Sequence, residues 1–192
     1  MVEGITDEIF LRKVLADLHV GVRTVFGKRG CDYIIEKGAG FAARGEYSGI
    51  IILVDLCDVH RGCPLLARRR IAEDVPELCL LRFAVCELES WILASRAGLS
   101  RYFGISAQLV PAIPDELLDP KQVLVNLARR SRKTRIRDMF VPPNGTSSDV
   151  GRGYVEGVSE FMYSDWNLDE AIAGSPSFGR FVNRVRERFV VD

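Results

Sequence analysis

Residues 49–56 read GIIILVDL, a nearly continuous apolar run rich in β-branched side chains. A run without alternation predicts a strand buried on both faces, as in the middle of a parallel sheet. Parallel strands need crossover connections, and the flanking sequence offers them. Thr6 to His19 places Ile9, Phe10, Val14, Leu15 and Leu18 at helical spacing, with Thr6 as the expected N-cap. Asp32 to Glu36 (DYIIE) reads as a short strand, followed by a loop at Gly38-Ala39-Gly40. Pro64 to Asp74 predicts a helix with an arginine-rich face. Leu78 to Val85 (LCLLRFAV) predicts a second buried strand, and Glu87 to Ser95 then turns helical. This alternation predicts an α/β fold, a parallel sheet flanked by helices with right-handed crossovers.

From about residue 96 the pattern changes to helices and turns, without a convincing buried strand. Pro120 to Arg130 is amphipathic, with Asp119 as the expected N-cap. Pro142-Pro143-Asn144-Gly145 and Gly151-Arg152-Gly153 are loop signals. Pro176 to Phe189 predicts a final helix after a Ser175 cap, with proline at its first position. The expected organisation is an α/β core over residues 1–95 and a C-terminal helical extension over 96–192. The extension's elements are too short to bury a core of their own comfortably, so a single compact domain overall is expected.

Composition excludes several classes. The chain has 192 residues, 47% of them hydrophobic, enough for a core and against disorder. No run of about 18 apolar residues exists, so no membrane span is expected. Met1-Val2-Glu3-Gly4 lacks the basic start and apolar stretch of a signal peptide. Five cysteines, an odd number, predict a reducing, cytoplasmic setting, with Cys31, Cys79 and Cys86 as small core hydrophobes. Cys57, His60 and Cys63 form C-x₂-H-x₂-C, but zinc usually takes four ligands and no second pair has ligand spacing. The 26 basic and 26 acidic residues cancel, which argues against a general polyanion binder. Only five of those 26 basic residues are lysine. Arginine suits planar, bidentate contact with phosphate or carboxylate, although a GC-rich genome produces the same bias.

In an open parallel sheet, ligands bind at the carboxyl ends of the strands, and acidic residues gather there. Glu3 precedes Gly4 and the first helix. Asp55 and Asp58 end the first buried strand. Glu87 and Glu89 follow the second. Carboxylates converging from neighbouring strand ends are hard oxygen ligands of the kind that hold Mg²⁺ together with a substrate phosphate.

The stretch Val2-Glu3-Gly4-Ile5-Thr6-Asp7, then a helix, then Leu53-Val54-Asp55, resembles the Toprim domain. That module catalyses phosphoryl transfer in topoisomerases, primases and overcoming-lysogenization-defect (OLD) nucleases. Ala84 to Ala94 (AVCELESWILA) narrows the resemblance, as do Leu127 to Lys133 (LARRSRK), Tyr154-Val155-Glu156, Glu160-Phe161 and Ser175-Pro176-Ser177. Together these resemble the DUF4276 family of small Toprim-like proteins, over nearly the whole chain. The resemblance implies a Toprim-like Rossmannoid sheet. It implies Glu3 as general acid/base, Gly4 as the tight turn beside the phosphate, and Asp55 as the first member of an Asp-x-Asp metal pair. The second member falls at position 57, where this chain has Cys57, a poor ligand for Mg²⁺. Asp58 would substitute if the chain turns at Cys57, and Glu87 or Glu89 would supply a further carboxylate. A Toprim first strand has about five residues before its Glu-Gly turn. Here only Met1 and Val2 stand there, so either the strand begins upstream of Met1 or the edge is completed differently; a lost first strand would leave Glu3 on a fraying end.

Arg129, Arg130, Arg132, Lys133, Arg135 and Arg137 form the strongest local charge feature, a candidate phosphate-backbone contact or else a solvated helix face. No G-x₄-G-K-[ST] P-loop is present, so an ATPase of the kind that accompanies OLD nucleases would be a separate polypeptide. Two expectations follow. One is an Mg²⁺- or Mn²⁺-dependent nuclease, a phosphodiesterase acting on DNA or RNA, in a defence system as the OLD resemblance suggests. The other is a Toprim-like binding or interaction subunit whose acidic site has decayed.

Overall fold

The computed structural model describes residues 1–60 and 63–190. The chain forms two compact units, Met1–Leu88 with Ser177–Asp192, and Glu89–Pro176.

In the first unit, helix α1 (Ile5–Asp17) leads to α2 (Cys31–Ala43), strand β1 (Ile50–Asp55), a single turn α3 (Leu56–Val59), α4 (Pro64–Ile71) and strand β2 (Cys79–Ala84). The two buried strands pair in parallel, with Ile50 opposite Cys79 and Asp55 opposite Ala84. The expected α/β class holds, as a small open parallel sheet flanked by helices. The core gathers Ile34 and Ala42 of α2, Ile52 and Val54 of β1, Ala67 and Ile71 of α4, and Leu81 of β2. Each side chain leaving water there contributes about 1.5–3 kcal/mol when large.

The Asp32–Glu36 segment is a correction. It lies inside α2, and Gly38 and Gly40 continue the helix rather than break it. Ile34, Gly38 and Ala42 recur every four residues on its buried face. Gly38 is needed where α2 meets α4. A Cβ there would stand 2.4 Å from Ile71 Cγ2.

The cap of α1 is a second correction. It is Gly4, not Thr6, and the N3 carboxylate of Asp7 accepts the Gly4 N–H at 2.9 Å. Met1 and Val2, expected to fray, are instead tied on both sides. The Val2 N–H donates to Phe26 O and its carbonyl accepts from Lys28 N, while Leu53 N–H donates to Met1 O. Val2 is fully buried. Gly27 makes this approach feasible. Its φ is +100°, and a Cβ would lie 2.1 Å from Val2 O.

The second unit is helical, as its sequence predicts. It contains α5 (Glu89–Leu93), α6 (Arg96–Phe103), α7 (Pro120–Arg129), α8 (Thr134–Phe140), α9 (Tyr154–Ser164) and α10 (Leu168–Gly174). Asp119 caps α7 by accepting the Gln122 N–H. Tyr102, Phe103, Phe140, Tyr154 and Phe161 pack ring against ring as its core. Helix α11 (Pro176–Phe189) returns to the first unit, where Phe178 meets Phe10 edge-on at 5.6 Å. Among the described residues no helix is long and apolar enough to cross a membrane.

Candidate functional site

Three of the expected acids lie together at the carboxyl end of β1. The strand stops at Asp55, and α3 begins one residue later, so the chain turns at Cys57 and Asp58. The Glu3 carboxylate reaches the same point from the Val2–Gly4 turn. Its Oε1 accepts the Asp55 N–H at 2.7 Å, and its backbone carbonyl accepts the Gly30 N–H. The Asp58 carboxylate lies near that of Glu3 and adds to the rise in the Glu3 pKa. Burial and neighbouring negative charge both favour the neutral form of a carboxyl, so Glu3 keeps its proton. Burial pushes its pKa up to about 8, the charges of Asp7 and Asp58 add to the rise, and the Asp55 N–H opposes it.

Asp55 is buried, at 8% exposure. Its Oδ1 accepts the Leu88 N–H at 2.8 Å, which ties the end of β1 to the turn after β2. Cys57 and Cys86 form a disulfide across the same gap, and the Cys57 N–H donates to Cys86 O. This corrects the assignment of Cys86 as a core hydrophobe. It also removes Cys57 from any thiolate pair with His60 and Cys63. The odd thiol count hid one bond and three free cysteines, Cys31, Cys63 and Cys79. The Cys31 thiol, half-buried at the start of α2, is pushed up to about 12 by burial first, then by the charges of Glu3 and Asp58. It is no nucleophile at neutral pH.

No family model matches this chain, and neither does any curated protein or solved structure.

The other expected ligands lie elsewhere. Glu87 stands half-buried between Cys86 and Leu88, in the turn that closes over Asp55. Glu89 opens α5 in the second unit, at 3% exposure. It accepts the Tyr154 hydroxyl at 2.7 Å, with the Lys121 ammonium at 3.9 Å. Glu87 and Glu89 thus fall on opposite sides of the boundary between units. Among the described residues no group of three His, Cys, Asp or Glu side chains could hold a metal ion by itself. Mg²⁺ does not need three. It keeps several waters and is commonly held by one or two carboxylates plus substrate phosphate. The Glu3–Asp58 pair, all oxygen, fits that demand.

The basic run divides by use. Arg135 forms a bidentate pair with Glu160, at 2.9 and 2.6 Å. Lys133 donates to the carbonyls ending α6, at Arg101 and Tyr102, and Arg137 donates to Ser131 O and the Thr134 hydroxyl. Arg129 bonds Asn126. Arg130 and Arg132 remain exposed at the α7–α8 turn. Sequence reasoning gave Asp7 no role and missed the Leu88 N–H. The signal for Asp7 was its place three residues after the Glu3-Gly4 turn's glycine, where an N3 acid caps a helix.

Proposed function

We propose that this chain is a Toprim-type, divalent-cation-dependent phosphoryl-transfer protein, acting as a nuclease on DNA or RNA. The observation that carries the reading is the buried Glu3 carboxyl, bonded to the Asp55 N–H and near Asp58, at the end of a parallel strand. Glu3 keeps its proton up to about pH 8, and such a site is poised to exchange that proton for a cation. Glu3 and Asp58 would hold Mg²⁺ or Mn²⁺, with Glu87 as a further candidate, and Asp55 as a positioning residue for both. A bound cation there would stabilise charge on the attacking and leaving oxygens of a phosphodiester. Glu3, with a pKa near neutrality, is suited to move a proton at the substrate oxygen. An ATPase partner would be a separate polypeptide.

A second reading has its own observation. Cys57 occupies the position of the second Toprim aspartate and is spent in a disulfide, while Asp55 is engaged by the Leu88 N–H. This favours a Toprim-like binding or interaction subunit without catalysis.

Calorimetry with Mg²⁺ and Mn²⁺ in two buffers of different ionisation enthalpy separates the readings. The nuclease reading expects binding with release of about one proton near pH 7. It also expects nucleic-acid cleavage that falls about 10²–10⁴-fold in Glu3→Gln and Asp58→Asn. No cation binding, or cleavage in both variants equal to that of wild type, leaves the second reading.

A further inference from the structure

Strand β2 has β1 on one side and no further strand on the other among the described residues. Open edges usually invite pairing unless something covers them. Here arginines do. Ile50 N–H bonds Leu78 O, so by alternation the carbonyls of Cys79 and Leu81 face the open side. Arg188 of α11 donates to Cys79 O, and Arg82 donates to Leu81 O. The two carbonyls are two residues apart, about 6.6 Å along a strand. Arg184 lies one helical turn before Arg188, on the same face of α11. Arg68 of α4 bears on both Cys79 and Arg82.

The edge therefore concentrates four guanidinium groups. Glu187 bears on Arg82, and it is already paired with the exposed Arg184 at 2.7 Å. Arg82 is half-buried, and its guanidinium is pushed down first by burial and then by Arg188, Arg184 and Arg68. Blocking a sheet edge needs one or two charges. Three around one half-buried cation exceed that need, and the four repel one another. A multivalent anion would relieve the repulsion. The edge runs from Cys79 toward Ala84, five residues and about 16 Å, and Ala84 stands opposite Asp55. An extended polyanion lying along β2 would run from the arginines toward the acidic end.

We propose that the open edge of β2, rimmed by Arg68, Arg82, Arg184 and Arg188, is a binding surface for the phosphodiester backbone of a nucleic acid. The choice of a nucleic acid among polyanions rests on the phosphoryl-transfer reading; the arginine edge itself does not. Guanidinium forks recognise phosphate bidentately, and the contact carries no sequence information.

The test is binding of a short fluorescein-labelled DNA duplex to the full chain in EDTA, followed by anisotropy across a salt series. EDTA removes cleavage, so failure here is separate from failure of the cation site. Wild type should lose affinity with salt, with a log–log slope of about −3 for a net three charges. Arg68→Ala and Arg184→Ala are at exposed positions and should fold. Each should flatten the slope by about 1. Glu187→Gln should tighten binding and steepen it. The double variant Arg130→Ala/Arg132→Ala should match wild type. The proposal is overturned by absence of binding at low salt, by unchanged slopes in the Arg68 and Arg184 variants, or by a loss confined to the Arg130/Arg132 variant.

Discussion

Glu3 shows how one side chain can hold a site in two states. Its carboxyl is protonated in the fold up to about pH 8, against an ordinary value of 4.5. Below pH 4.5 folded and unfolded chains both carry the proton, and Glu3 contributes its full stabilisation. Between 4.5 and about 8 the unfolded chain has released a proton that the fold still binds. Stability therefore falls as pH rises through this window, by up to about 1.4 kcal/mol per unit. Above about 8 the loss is complete. Glu3→Gln should remove this slope and leave a flatter profile. Urea unfolding of both proteins at pH 5, 7 and 9 measures it, and equal slopes would refute the retained Glu3 proton. The Glu-Gly turn of the Toprim resemblance led to Glu3 at the strand end, and Asp58 was expected with it on condition that the chain turns at Cys57. That turn is present. The burial that keeps the Glu3 proton was not legible, because no local spacing encodes a depth that depends on how the chain ends pack.

At the scale of elements, both long apolar runs became the strands the sequence predicts, because runs of about eight residues bounded by turn signals fit a buried strand and are short for a buried helix. DYIIE failed for the opposite reason. A run that short fits a strand or one turn of a helix, and the deciding residues, Gly38 and Ala42, lie beyond it. Gly38 reads as a breaker locally, but it is where α2 closes on Ile71. The Cys57–Cys86 bond was likewise hidden until the register was known. Asp55 opposite Ala84 places both cysteines two residues past the paired strand ends. That bond closes a loop with a sequence separation of 29, for which chain entropy gives a stabilisation of about 3–4 kcal/mol. Cys57→Ser should lower unfolding stability by about that amount in the absence of reductant, and by much less with reductant present. Chemical denaturation of both forms, with thiol counting to confirm the bond, decides this. Three thiols should titrate in the oxidised chain under denaturant, and five after reduction.

The whole molecule is built from two units, and the first is discontinuous in sequence. Residues 1–88 need α11, nearly ninety positions later, to cover Phe10. The sequence predicts α11 by its Ser175-Pro176 start and its apolar face. Its membership in the first unit depends on which hydrophobic face it finds, and periodicity alone cannot say that. The acidic site lies in the first unit, and the aromatic core of Tyr102, Phe140 and Phe161 in the second. The two cores should therefore respond separately to cavities. Phe178→Ala removes a fully buried ring from the first unit, and Phe161→Ala removes one from the second. Each should cost about 3–5 kcal/mol in its own unit. Amide hydrogen exchange reads the effect residue by residue. Phe178→Ala should speed exchange in β1 and at the Leu88 N–H that holds Asp55, while α9 stays protected. Phe161→Ala should reverse that pattern. Equal acceleration in both units under either substitution would mean one cooperative core. The acidic site would then depend on every helix of the chain and not on α1, α11 and the two strands.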